Sequence, residues 1–235
     1  MKRFAKPALA LITFFSIACQ DNSTITPVPV TGVLLDNSFA STQNGWEGDV
    51  SDYGVEQQSL IEFSFTHTNL PAPLDQSQKS LRVFGRNRSD DLFMFVRKQL
   101  TGLAPNTDYK LQFDVELASK YPSSSFGIGG SPGSSVFLKA GATATKPEKV
   151  LDGNFYHLSV DKGTQSEEGK VTSLLGNVGT GKDVEEYTLI QRSNKEQPLT
   201  ARTNAQGELW VFVGTDSGFE GDQALYYSRI KVTAL

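Results

Sequence analysis

From Val33 onward, apolar and polar residues alternate with a period of two, and a helical period is almost absent. Tyr109, Leu111, Phe113, Val115 and Leu117 alternate with Lys110, Gln112, Asp114 and Glu116, the pattern of an antiparallel strand with one wet face. Ile61, Phe63 and Phe65 alternate with Glu62, Ser64 and Thr66 in the same way. Residues 92–96 (Leu-Phe-Met-Phe-Val) and 209–213 (Leu-Trp-Val-Phe-Val) are apolar on both faces, which predicts central strands covered on both sides. Further strands are expected near 81–84, 135–139, 155–160, 187–191 and 225–232. Residues 146–153 and 164–182 read as long surface loops. Pro105-Asn106 and Asn204-Ala205-Gln206-Gly207 supply turns before the Tyr109 and Leu209 strands. About ten strands with no amphipathic helix predict an all-β fold, an antiparallel two-sheet β-sandwich with jelly-roll order.

The first 32 residues follow other rules. Lys2, Arg3 and Lys6 precede an apolar run over 8–18 that is too short to span about 30 Å of hydrocarbon. Small Ala18 stands directly before Cys19, completing a signal-peptide pattern over 1–18. Ser16-Ile17-Ala18-Cys19 resembles a bacterial lipobox, with Ser16 where leucine is usual; that resemblance implies lipidation of Cys19 and an exported protein held on the bacterial outer membrane. Gln20-Asp21 is similar to the acidic surface-export signals of some lipoproteins. Residues 19–32, rich in Ser, Thr and Pro, read as a tether, leaving 33–235 as the folded domain.

Composition narrows the function classes. The chain has 235 residues with 15 Phe, 7 Tyr and 2 Trp, enough for a core. Acidic residues outnumber basic ones 26 to 22, and three of the basic ones lie in the first six positions. That balance argues against nucleic acid, and against contact with anionic lipid other than through an anchor. One cysteine allows no internal disulfide, and two histidines (His67, His157) leave no His-rich metal site. No Gly-x-Ser-x-Gly, His-Glu-x-x-His or Cys-x-x-Cys occurs.

Three segments together resemble the galactose-binding-like jelly rolls, which include many carbohydrate-binding modules. They are Asn37-Ser38-Phe39 followed by Gly45-Trp46, the run from Gly102 to Leu111, and Tyr226-Tyr227-Ser228-Arg229-Ile230-Lys231-Val232. The resemblance implies glycan binding. Such modules often hold a structural calcium with acidic residues beside the opening Phe and in the last strand, where this chain has Ala40 and Ser228.

Three clusters are candidates for chemistry. Trp46 and Tyr53, in a polar loop, offer either a platform for stacking on a sugar ring or a plug for the sandwich end. Asn87, Arg88, Asp90 and Asp91, just before the Leu92 strand, offer hydrogen bonds to sugar hydroxyls, oxygens for Ca²⁺, or a solvated turn. Asp216, Glu220 and Asp222, set among Gly214, Gly218 and Gly221, offer oxygen ligands for a metal such as Ca²⁺, or an ordered loop. The expected function is non-catalytic glycan binding. Alternatives are polysaccharide cleavage by Asp216 or Glu220 with Asp90 or Asp91, and a structural lipoprotein that meets a partner protein.

Overall fold

The computed structural model describes residues 29–89 and 91–235. The expected signal peptide (1–18), Cys19, residues 20–28 of the tether, and Asp90 lie outside the described residues. Fifteen strands follow: β1 (Gly32–Ser38), β2 (Glu47–Ser51), β3 (Tyr53–Gly54), β4 (Ser64–Asn69), β5 (Lys79–Asn87), β6 (Leu92–Leu100), β7 (Asp108–Ser119) and β8 (Val136–Thr143). The others are β9 (Lys149–Asp152), β10 (Phe155–Leu158), β11 (Thr172–Asn177), β12 (Thr188–Ser193), β13 (Leu199–Arg202), β14 (Leu209–Ser217) and β15 (Gly221–Ala234). One short 3₁₀ turn spans Val55–Gln57.

Among the described residues all strand pairings are antiparallel, in two facing sheets and one small one. The seven-stranded sheet runs β12-β7-β15-β5-β4, with β1 beside β15 and β13 beside β7. The five-stranded sheet runs β11-β8-β14-β6-β2, and β3-β10-β9 form the third. Consecutive strands β5, β6, β7 and β8 alternate between the two large sheets, as do β14 and β15, so the sandwich has jelly-roll order.

The alternation explains the core. Tyr109, Leu111, Phe113, Val115 and Leu117 of β7 are buried, as are Leu225, Tyr227, Ile230 and Val232 of β15, and they meet Met94 and Val96 of β6 and Val211 and Val213 of β14. β6 and β14 are apolar on both sides because a second cluster covers their outer face. Phe93, Phe95 and Phe212 pack there against Leu158, Val160 and Val171. Gly141 and Gly214 leave room for these rings; a Cβ at either position would collide with Phe212 or with Phe93 and Phe95.

Some expectations need correction. The Ile61-Phe63-Phe65 alternation does not form one strand, because Glu62 adopts φ +46 and β4 starts only at Ser64. The supposed loop 146–153 contains β9, and 164–182 contains β11. Edge strands β2 and β11 hide from a hydrophobic pattern because much of what they bury is polar, Ser51 in β2 and Thr172 and Ser173 in β11.

Candidate functional site

The wet face of β7 lies at the centre of a groove of about 560 Å³ on the outer side of the seven-stranded sheet. Asp114 and Glu116 of β7 stand beside Gln191 and Ser193 of β12 and beside Arg229 and Lys231 of β15, each opposite its cross-strand partner. The groove reaches the sheet edge at Arg192 and Leu175. Period-two burial turns these side chains outward, because their neighbours Val115, Ile230 and Val232 fill the core.

Several of the groups are held in place. The Arg229 guanidinium donates twice to the Asp36 carboxylate, at 2.7 and 2.6 Å, and this pair holds the Asp36 carboxyl below its usual range. The Ser228 hydroxyl donates to Glu116 at 2.7 Å, and the Gln191 amide donates to the other Glu116 oxygen at 3.3 Å. Arg192 donates to the carbonyls of Asn177 and Gly179, both at 2.8 Å.

Farther along β15, Tyr226 faces outward between buried Leu225 and Tyr227 and meets the Tyr187 ring edge-to-face at 5.3 Å. Burial, with the adjoining Tyr226 phenol, pushes the Tyr187 hydroxyl well above its ordinary pKa, so it stays a donor. Across from Tyr226, Arg82 lies 4.8 Å over the Phe84 ring and donates to Ser64 at 3.0 Å. The polar face of β7 was legible in the sequence. Its convergence with β12 and β15, and the Tyr187–Tyr226 pair, required the sheet order.

The aromatic candidates prove to be core. Trp46 is 0% exposed, packs edge-on to Phe39 at 6.1 Å, and donates its indole N–H to Asn37 at 3.0 Å. Tyr53 is 2% exposed, packs at a 43° tilt against the Tyr156 ring at 5.0 Å, and accepts from Lys149 at 2.9 Å. Neither ring is a platform for sugar, because both close gaps at the sandwich that would otherwise expose large apolar area.

The polar cluster before β6 is split. Asn87 is buried and donates to the carbonyls of Ser217 and Phe219, both at 2.9 Å, tying β5 to the β14–β15 turn. Arg88 is exposed at the end of β5. Asp91 instead points into a second pocket of about 230 Å³, with Asp52, His157, Asp161 and Lys162.

Asp91 and Asp216 come together there, but Glu220 and Asp222 do not join them. Asp222 pairs with Arg86 at 3.0 Å, and Glu220 bridges to Ile128. Asp216 is fully buried between two ammonium groups, Lys139 at 3.1 Å and Lys162 at 2.7 Å. Among the described residues no group of three or more His, Cys, Asp or Glu side chains is arranged to hold a metal, so the expected Asp216–Glu220–Asp222 calcium set is not assembled. Two cations already occupy the Asp216 site.

Lys162 also meets Asp52 at 2.8 Å. Burial alone would lower the Lys162 ammonium, but Asp52 and Asp216 together hold it above its ordinary value, whereas burial wins at Lys139 and lowers it. Burial, with the nearby Asp52 and Asp216 carboxyls, raises the Asp91 carboxyl to about 7 despite the attraction of Lys162. A glycosidase sets its carboxyls about 5–10 Å apart around an accessible bond, and the fully buried Asp216 flanks no such bond.

No family model and no curated protein matches the chain. Solved structures similar to it include the CBM22-1 xylan-binding domain of Paenibacillus barcinonensis Xyn10C, at 13% identity over 88% of this chain and 97% of that one, with a TM-score of 0.41. The mannan-recognising carbohydrate-binding module TmCBM27 is similar at 10% identity over 86% and 97%, with a TM-score of 0.43. The K3 cleaved adhesin domain of Lys-gingipain from Porphyromonas gingivalis is similar at 11% identity over 87% and 99%, with a TM-score of 0.40.

Proposed function

We propose that this domain is a non-catalytic glycan-binding module, exported and anchored to the outer membrane by a lipid on Cys19, that holds sugar across the outer face of its seven-stranded sheet. The observation that carries the reading is the groove. Asp114 and Glu116 accept, Arg229 and Lys231 donate, and Gln191 does both, within one 560 Å³ depression. Neighbouring hydroxyls of a sugar ring are matched by such alternating acceptors and donors. Tyr226 lies about 7 Å along the strand from Arg229, at roughly 3.3 Å per residue, because the bulge at Ser228 sets the two opposite Ala118 and Glu116, two residues apart on β7, and its ring can cover the apolar face of a sugar. Groove and tyrosine pair together suit a short oligosaccharide.

Glycan-array screening followed by calorimetry on the chain from Asn22 onward tests this. Tyr226→Ala is expected to weaken binding about tenfold, near 1.4 kcal/mol, with the melting temperature little changed, because Tyr226 faces out of the core. An array without any binder removes the reading. The anchor is supported by the charged start, the apolar run and the Ser16-Ile17-Ala18-Cys19 motif. Cys19→Ala is expected to move the protein from the detergent phase to the aqueous phase; an unchanged partition refutes lipidation.

A second reading, contact with a partner protein, is favoured by one observation. Phe126 is 99% and Ile128 71% exposed on a loop at the Gly221 end of β15, opposite the end where Gly32 meets Ala234.

A further inference from the structure

The outer face of the seven-stranded sheet carries a cation that the groove leaves unused. Arg82 of β5 stands directly opposite Tyr226 of β15, and Thr66 of β4 flanks it on the other side. Side chains paired in this way across antiparallel strands have Cβ atoms about 5 Å apart. Both Arg82 and Tyr226 point outward, because Leu81, Val83, Leu225 and Tyr227, their neighbours in sequence, are buried.

What surrounds Arg82 is uncharged. The strand register sets it among Tyr226 and Ala224 of β15, Ser64, Thr66 and Thr68 of β4, and Phe84 of its own strand. Its guanidinium lies 4.8 Å over the Phe84 ring, and one of its N–H groups donates to the Ser64 hydroxyl at 3.0 Å. Among the described residues no carboxylate comes within 4.0 Å of it. The arginines on either flank differ. Arg86 is held by Glu62 and Asp222, at 2.6 and 3.0 Å, and Arg229 by Asp36 at 2.6 Å. Acidic residues outnumber basic ones in the chain, 26 to 22, so the missing counter-ion is a local feature of Arg82.

We propose that Tyr226 and Arg82 together form a subsite for an acidic sugar, whose ring lies against the tyrosine and whose carboxylate or sulfate ester pairs with the guanidinium. This subsite rests on the glycan-binding reading of the face and adds the charge of the ligand to it. The planar fork of an arginine matches two anionic oxygens with two donors, and here Phe84 and Ser64 already hold the fork while Tyr187 steadies the Tyr226 ring edge-on at 5.3 Å. In the groove itself Arg229 is neutralised by Asp36, and Lys231 stands opposite Asp114, so hydroxyls suit that part better than acid groups. The acid group therefore belongs at the Tyr226 end.

Calorimetric titration of the full chain, kept in detergent, tests the subsite. The probes are oligosaccharides of galacturonate, glucuronate and mannuronate and a heparin oligosaccharide, each beside its carboxyl-reduced or desulfated counterpart. At least one acidic probe is expected to bind about tenfold or more tighter than its neutral counterpart, and Arg82→Gln is expected to remove most of that preference. Preference for uronates or for the sulfated probe identifies the anion. Neutral probes that bind as tightly as acidic ones, or a preference that survives in Arg82→Gln, overturn the acidic subsite and leave the glycan reading standing. Binding by none of the probes, acidic or neutral, removes both. If Arg82→Gln fails to fold, the Nε–H resonance of Arg82 in the wild type decides: a shift with the acidic probe and none with its neutral counterpart supports the subsite, and no shift refutes it.

Discussion

Lys139→Ala is expected to cost about 3–5 kcal/mol in urea unfolding, more than any surface ion pair in this protein would. Lys139 is fully buried on β8, and its ammonium serves the Asp216 carboxylate and the backbone carbonyls of Lys162 and Glu167 at once. Removing it leaves Lys162 alone to neutralise Asp52 and Asp216, orphans the carbonyls of Lys162 and Glu167, and opens a void beneath residues 162–167. The double variant Lys139→Met with Asp216→Asn removes one charge of each sign and is expected to regain part of the loss, because breaking a buried pair costs more than replacing it. A single-variant loss below about 1 kcal/mol would mean that water reaches the site, contrary to the packing described here.

Trp46→Ala is expected to destabilise the domain by about 3–5 kcal/mol and to leave glycan affinity unchanged at temperatures where the variant is folded. The ring is wholly enclosed, its N–H is taken by Asn37, and its face is closed by Phe39, so its deletion leaves a cavity and an unpaired amide oxygen. Chemical denaturation beside calorimetric binding separates the two effects. A lost ligand with an unshifted unfolding midpoint would return Trp46 to the surface role its polar loop suggests. With Tyr226→Ala, the pair of variants distinguishes a stabilising aromatic residue from a binding one on opposite sides of one sheet.

These residues show where local pattern stops being informative. Gly45, Glu47, Gly48 and Asp52 around Trp46 and Tyr53 describe a wet loop, yet Glu47–Ser51 is strand β2, Tyr53 opens β3, and Asp52 is buried. Which way its rings turn depends on the sandwich end they close, which is set by strands far off in sequence. Asp216 likewise sits among glycines and acids that suggest a cation loop, yet the cations it meets are Lys139, 77 residues away, and Lys162, 54 residues away. No spacing rule connects them. The edge strands β2 and β11 escaped because the residues they bury include Ser51, Thr172 and Ser173, polar side chains that leave no alternating hydrophobic signature.

By itself the sequence determined the class of fold and its central strands, since side chains on a pleated strand point alternately to opposite faces and β7 can bury its apolar row in only one register. It also determined that β6 and β14 would be covered twice, because an apolar residue at every position of 92–96 and 209–213 leaves no face for water there. The tertiary structure decided everything that depends on neighbours across strands: that Glu116, Gln191 and Arg229 share a groove, that Trp46 is core, and that Asp91 and Asp216 meet. Strand order brings such residues together through hydrogen-bonded ladders between segments distant in the chain, and one strand's alternation carries no information about which ladder it will join.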